Sequence, residues 1–392
     1  MRIAFVSQEY PPETAHGGIA TQTWTKARGM AARGHEVYVV ASSTDERRHA
    51  YEDEAVHVTR IPGFDSRMQL RTEAARWLTY STLVAAEVSD LQARVGLDLM
   101  DFPEYGAEAY LHLVNRGECG SVRTSIHLQG PLIMLANTIG WPEKESELYR
   151  IGTHMESTCL RLADAIYSSS ACSVDWCARH YGISRDAPVI HCGVDTRVFM
   201  PKAAPEQEPR VLFVGRIAAS KGVDTLLDAV CRIARDQPRL RLRLVGRAEE
   251  IFARALQARA EAQGFEGLEL AGFVAREHMR EELVRAQIFA APSRYEGGPG
   301  FVYLEAIACG LPVIACSGSG ASEILEHGRT GFLVPPDDTA SLARQLQQLL
   351  ANRELRHEVG ARARAHVLAE ADSERCADRL ESFYLSAAEN AR

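Results

Sequence analysis

Three stretches of the chain carry residues whose types and spacing suit the handling of a small anion. In "VGRIAASKGVDTLLDA", Arg216 closes an apolar strand pattern and Lys221 stands just before a helical one. Arginine offers a forked donor and lysine a point charge, so the two together suit a diphosphate. In "RYEGGPGFVYLEAIACGLPVIA", Glu296 and Glu305 stand at either end of a glycine-rich strand-to-helix turn. In "SQEYPPETAHGGIATQTW", Gly17 and Gly18 precede a helix, where glycine lets an anion approach backbone N–H groups. His127 follows an apolar strand in "SIHLQGP" and could donate to an oxygen or move a proton. Each feature also has a bland reading: a solvated cation pair, an exposed loop carboxylate, a flexible turn, a packed histidine.

Regular elements must bring these residues together. "RIAFVS", a helical pattern over Thr21 to Arg33 ending at Gly34, and "HEVYVVAS" make a strand–helix–strand unit, which implies a parallel sheet. "VHVTRI", "LDLMDF", "RTSIHL" and "AIYSSS" read as further strands, and Ser66 to Arg94 has helical spacing. The polar, proline-flanked segment Lys202 to Pro209, "KAAPEQEP", marks a linker. A second alternation follows: "RVLFVGR", a helix over Val223 to Arg235, "LRLRLVG", a helix over Glu249 to Gln263, "LELAGFV", a helix over Arg276 to Arg285, then "IFAAPS". The helix in "VYLEAIACG" leads to "LPVIAC" and "GFLVP". The expected fold is α/β, with two doubly wound Rossmann-like domains at 1–200 and 201–372. In such sheets ligands bind beyond the carboxyl ends of the strands, here in a central cleft.

Bulk properties narrow the function classes. The length of 392 residues suits two domains, and 46% hydrophobic with 24% charged residues is a globular composition. A formal charge of −8 argues against nucleic acid as the main partner. Nine scattered cysteines without a C-x-x-C pair point to reduced thiols, a cytoplasmic setting and no structural zinc. The N-terminus lacks the apolar core of a signal peptide, and no stretch approaches the roughly 20 apolar residues of a membrane helix. A peripheral contact with the inner face of a membrane stays open. No Asp-x-Asp, Walker pattern or G-x-G-x-x-G after the first strand is present, so metal, ATPase and nicotinamide readings lack their anchors.

The ordered series "YPPETAHGGIATQ", "RGHEVYVVA", "IHLQGP", "ADAIYSSS", "VIHCGVDTRVF", "VGRIAASKGVDTLLDA", "LVG", "LAGFV", "EGGPGFVYLEAIACGLPVIA" and "GASEILEHGRTGFLVPPDD" resembles the retaining GT-B glycosyltransferases of family 4 (glycosyl transferases group 1). The resemblance spans nearly the whole chain and is stronger in its C-terminal half. It implies transfer of a sugar from a UDP- or GDP-sugar to a saccharide, lipid-linked or small-molecule acceptor, with no cofactor and no metal. It implies that Gly17 and Gly18 sit beside the donor diphosphate and that Arg216 and Lys221 neutralise it. Glu305 would hold the ribose hydroxyls, Glu296 the transferred sugar, and His127 that sugar near its reacting carbon. Gly246 in "LVG", Phe273 in "LAGFV", and Gly300, Phe301 and Val302 at the late helix start would complete the donor contacts. The resemblance also implies that the last helix, about 373–392, crosses back to the N-terminal domain.

One departure concerns Glu296. The family pattern places seven residues between the two glutamates, and this chain has eight, with Gly297 at the expected first position and Pro299 replacing the usual aromatic. A one-residue bulge in "GGPG" would return Glu296 to the site. Two other readings share the fold: a nucleotide-sugar 2-epimerase, and a nucleotide-sugar-binding protein without catalysis.

Overall fold

The computed structural model describes residues 1–14, 17–45, 47–63, 70–119, 122–202 and 209–389. Most of the expected linker and residues 66–69 of the helix expected over Ser66 to Arg94 lie outside these residues; residues 70–72 are not helical, and the helix begins at Glu73 behind its cap Thr72. The described chain divides into two compact units, Met1–His191 with Cys376–Arg392, and Cys192–Arg375.

The first unit is built on strands β1 (Arg2–Val6), β2 (Glu36–Ser43), β3 (His49–Asp53), β4 (Val56–Pro62), β5 (Leu99–Pro103), β6 (Arg123–Leu128) and β7 (Ala165–Ser168). They lie in the order β3-β4-β2-β1-β5-β6-β7. All neighbours are parallel except the edge pair β3–β4. β1 is buried at every position after Arg2, as its unbroken apolar run requires of a central parallel strand. β3 was not foreseen. Its sequence, "HAYED", is polar because it is an edge strand with no buried residue.

The helices of this unit are α1 (Gly18–Ala32), α2 (Glu73–Val95), α3 (Tyr110–Val114), α4 (Arg116–Cys119), α5 (Leu132–Thr138), α6 (Glu147–Leu162) and α7 (Ala171–Tyr181). Thr72, Ser146 and Ser170 cap α2, α6 and α7 by accepting from backbone N–H groups three residues on.

The second unit holds β8 (Arg210–Val214), β9 (Arg241–Val245), β10 (Leu268–Gly272), β11 (Ile288–Ala291), β12 (Val313–Cys316) and β13 (Phe332–Val334). Their order is β10-β9-β8-β11-β12-β13, parallel throughout. Helices α8 (Val223–Ala234), α9 (Glu250–Ala262), α10 (Arg276–Val284), α11 (Phe301–Ala308), α12 (Thr339–Ala351) and α13 (Arg353–Glu370) accompany this sheet.

The unit begins at Cys192, ahead of the composition change at "KAAPEQEP". Val194 explains this, since its N–H bonds Ala371 O and its carbonyl accepts from Ser373 N, each at 2.9 Å. Phe199 is also buried in the second core. The last helix, α14 (Ser373–Glu389), belongs to the first unit from Cys376 onward. Leu380, Tyr384 and Ala387 bury one face of it against Phe5, Leu99 and Tyr167.

Candidate functional site

Each sheet reverses its winding once, between β1 and β5 in the first and between β8 and β11 in the second. Loops diverge at these points, leaving room for a ligand at the carboxyl edge. At the second reversal the loop after β8 carries Arg216 and Lys221, and the loop after β11 carries Glu296. Two residues separated by 75 positions are thus brought together by the strand order alone: Lys221 Nζ lies 2.8 Å from Glu296 Oε1.

Glycines make this edge possible. Gly215 and Gly246 end β8 and β9 with φ of 149° and 143°, and a Cβ on Gly246 would sit 1.8 Å from Gly215 O. Gly222, at φ 66°, leaves equally little room, with its Cβ position 2.0 Å from Pro292 O. Only glycine permits both the conformation and the approach.

Arg216 is exposed and has no hydrogen bond or ion pair among the described residues. Lys221 ends a short 3₁₀ turn (Ala219–Lys221) and also reaches Tyr295 O at 3.5 Å. Glu296, whose register was open in the sequence, turns its carboxylate to Lys221, and its backbone oxygen accepts from Gly320 N at 2.9 Å. A Cβ on Gly320 would lie 2.5 Å from Gly298 and 2.7 Å from Gly297, so the glycine-rich loop packs closely against residue 320.

Gly300 is the residue before α11, and Phe301 and Val302 open the helix with N–H groups that its own carbonyls do not reach. Glu305, one turn further, is 2% exposed. Arg276 Nη1 lies 2.8 Å from Glu305 Oε1, close enough to pair but without an aligned hydrogen bond. Burial pushes the Glu305 carboxyl up, and the Arg276 charge offsets part of this. The Arg276 guanidinium also lies over the rings of Phe199 and Phe301. At the end of β10, Phe273 is 68% exposed with Arg247 over its ring at 5.3 Å. Arg276 was not anticipated as a site residue, because an arginine opening a polar helix gives no sequence signal.

In the first unit Gly17 precedes α1 in an extended conformation, and a Cβ on Gly18 would meet nothing within 4 Å. His127 lies within β6 rather than after an apolar strand. It is fully buried, its ring lies flat on Tyr167 at 4.3 Å, and both nitrogens face side chains. Lys26 Nζ is 3.3 Å from Nδ1, and the Gln22 amide is 3.3 Å from Nε2. An ammonium only donates, so Nδ1 accepts and Nε2 carries the hydrogen, which requires the Gln22 amide to turn its oxygen, not its nitrogen, toward the ring. Burial first, then the charge of Lys26, hold the imidazole well below its ordinary pKa, so it is neutral.

Lys26 is itself paired with Asp101 at 2.5 Å, and Asp101 accepts from Ser125 and Tyr167. Tyr167 in turn meets Tyr384 of α14 at 3.0 Å. A signal for Gln22 and Lys26 existed in the sequence: they are polar residues at i, i+4 on the face of α1 that buries Ala20, Ala27 and Met30.

Among the described residues no group of three or more His, Cys, Asp or Glu is placed to hold a metal ion. Among them, too, no helix is long and apolar enough to cross a membrane.

Two parallel doubly wound units of this kind define the GT-B class of glycosyltransferase fold. The sucrose-phosphate synthase of Thermosynechococcus elongatus superposes with a TM-score of 0.83 at 23% identity, covering 98% of both chains. HepE of Anabaena, solved in complex with UDP and glucose, superposes with a TM-score of 0.74 at 19% identity, covering 98% of this chain and 100% of that one. Residues 16–198 match Glycosyltransferase Family 4, and residues 208–352 match Glycosyl transferases group 1. The chain belongs to this glycosyltransferase family, and it is a glycosyltransferase. A relative in Corynebacterium glutamicum, a GDP-mannose-dependent monoacylated alpha-(1-6)-phosphatidylinositol monomannoside mannosyltransferase, is 27% identical over 97% of each chain.

Proposed function

We propose that the chain transfers a sugar from a UDP- or GDP-sugar to an acceptor hydroxyl with retention of configuration and without a metal, in polysaccharide, glycolipid or glycoconjugate synthesis. The observation that carries this reading is the β8/β11 reversal, where the loop after β8 carries Arg216, the Lys221–Glu296 pair joins that loop to the one after β11, and α11 follows with the buried carboxylate Glu305. Negative charge grows on a departing nucleoside diphosphate. Fixed cations and N–H dipoles stabilise it without reorganising, and losing one such donor costs roughly 2.7–4 kcal/mol. The two nucleotides are those of the GDP-mannose-dependent relative and the UDP-bound neighbour.

In this reading Glu296 holds the sugar hydroxyls beside the cation, and the leaving phosphate takes the acceptor proton. The first unit binds the acceptor. His127 serves as a neutral donor through Nε2, which requires Gln22 to release it. Incubation with radiolabelled UDP- and GDP-sugars and a panel of saccharide and lipid acceptors tests the proposal. Label is expected in acceptor from one donor class, and its anomeric configuration reads the stereochemistry. Nucleotide binding with neither transfer nor donor hydrolysis across the panel would sink it.

A further inference from the structure

We propose that Arg294 is a positioning residue that sets Lys221 for the diphosphate by clamping the loop after β8 to the loop after β11. The inference rests on the reading of Lys221 as a diphosphate contact and goes beyond it to a residue outside that contact set.

The side chain of Arg294 uses three donors in three directions. Nε donates to Asp337 Oδ1 at 2.6 Å, Nη1 to Ala219 O at 2.7 Å, and Nη2 to Asp224 Oδ2 at 3.4 Å. Its backbone N–H donates to Ser220 O at 3.0 Å. Two consecutive carbonyls of the short turn that ends in Lys221 are therefore held by one residue, which lies two positions before Glu296. The guanidinium charge is met by two carboxylates and its fork is occupied, so Arg294 is not a spare phosphate ligand in the way that exposed Arg216 is. It acts through geometry. The ammonium of Lys221 sits at the end of a flexible stem, and its reach is set by where residues 219–221 are held. Lysine cannot replace Arg294, since a single ammonium cannot point along three fixed planar directions.

The test is calorimetric titration of UDP and GDP into the full chain and its Arg294→Lys, Lys221→Ala and double variants, with thermal unfolding alongside. Arg294→Lys is expected to weaken the bound nucleotide roughly ten- to a hundred-fold, the scale on which small misplacements act. In the Lys221→Ala background the same change is expected to add almost nothing, because Arg294 works through Lys221. Additive losses in the double variant, or unchanged affinity in Arg294→Lys while Lys221→Ala is weak, would overturn the positioning role. Unchanged affinity in Lys221→Ala would instead remove the diphosphate reading on which the role rests. Should Arg294→Lys fold poorly, Asp337→Asn removes one arm of the clamp from a 56% exposed position. It is expected to give a smaller loss with the same dependence on Lys221, and a loss that persists without Lys221 would count against the proposal.

Discussion

Lys221 Nζ lies 2.8 Å from Glu296 Oε1, joining the cation after β8 to the carboxylate after β11 where the second sheet reverses its winding. The two side chains are 23% and 17% exposed, so water screens the pair without dissolving it. A diphosphate that takes Lys221 competes with Glu296 for the same ammonium donors.

Glu296→Gln is therefore expected to tighten UDP or GDP binding while lowering transfer. A pair worth roughly 0.2–1 kcal/mol corresponds to a gain of up to about fivefold. Calorimetry and turnover on the same preparation check this, and weaker nucleotide binding in the variant would contradict the competition.

Arg216→Ala should separate binding from stability. The side chain is exposed and without a partner among the described residues, so the unfolding free energy should stay within about 0.5 kcal/mol of wild type. Transfer should fall by the equivalent of roughly 2.7–4 kcal/mol, read as kcat/KM for the donor. A large drop in stability would mean that Arg216 has a structural role.

Transfer is expected to persist in excess EDTA, since Arg216, Lys221 and the α11 N-terminus supply the positive charge in the proposed reaction. An assay with and without the chelator reads this directly. Loss restored only by added Mg²⁺ or Mn²⁺ would refute the metal-independent mechanism.

Lys26→Met should be costly in the first unit. Asp101 is 1% exposed and would lose the cation paired with it, a loss of about 3–5 kcal/mol for a broken buried pair. Denaturant titration measures it, with Lys26→Met/Asp101→Asn expected to recover part of the loss. Imidazole ¹⁵N spectra should show His127 as the neutral Nε2–H tautomer in the wild-type protein at pH 6, because burial and Lys26 both disfavour its cation.

Glu104 gives a pH signature. It is fully buried, accepts from the backbone N–H groups of Gln129 and Gly130 after His127, and is pushed up to about 7 by burial. The native state therefore holds a proton that the unfolded chain releases. This contribution is fully present below about pH 4.5 and is lost as the pH rises through about 7. Comparison of thermal midpoints from pH 5 to 8 should show Glu104→Gln gaining on wild type as the pH rises. A constant difference would contradict the raised pKa. Buried Glu156, which accepts from Leu132 N and from Tyr181, is raised by burial and by the charge of Glu104, and keeps part of the slope in the variant.

Most of the sheet was legible because its strands are short apolar runs bounded by polar turns. β6 coincides with the expected "RTSIHL", whereas the polar edge strand β3 carries no such signal. α6 and α7 escaped notice for another reason. The buried face of α7 is mixed and includes Ser173, whereas α6 carries Leu148, Ile151, Met155 and Cys159 at three- and four-residue spacing, a stripe flanked by the buried polar Glu156 and Ser157.

The candidate site divides in the same way. Residue types and local spacing alone singled out Arg216, Lys221, Glu296, Glu305, Gly17 and Gly18, because glycines and charges at strand-to-helix turns are local features. Contacts between distant segments were decided by the tertiary structure. Strand order brings Lys221 to Glu296 and Arg294 to Ala219, and the packing of α10 on α11 brings Arg276 to Glu305. Helix packing encloses His127 between Gln22, Lys26 and Tyr167. The sequence by itself determined which chemical groups stand at the ends of which strands. Only the folded chain decided which of those charges are paired, buried or free, because pairing and desolvation depend on neighbours that are remote along the chain.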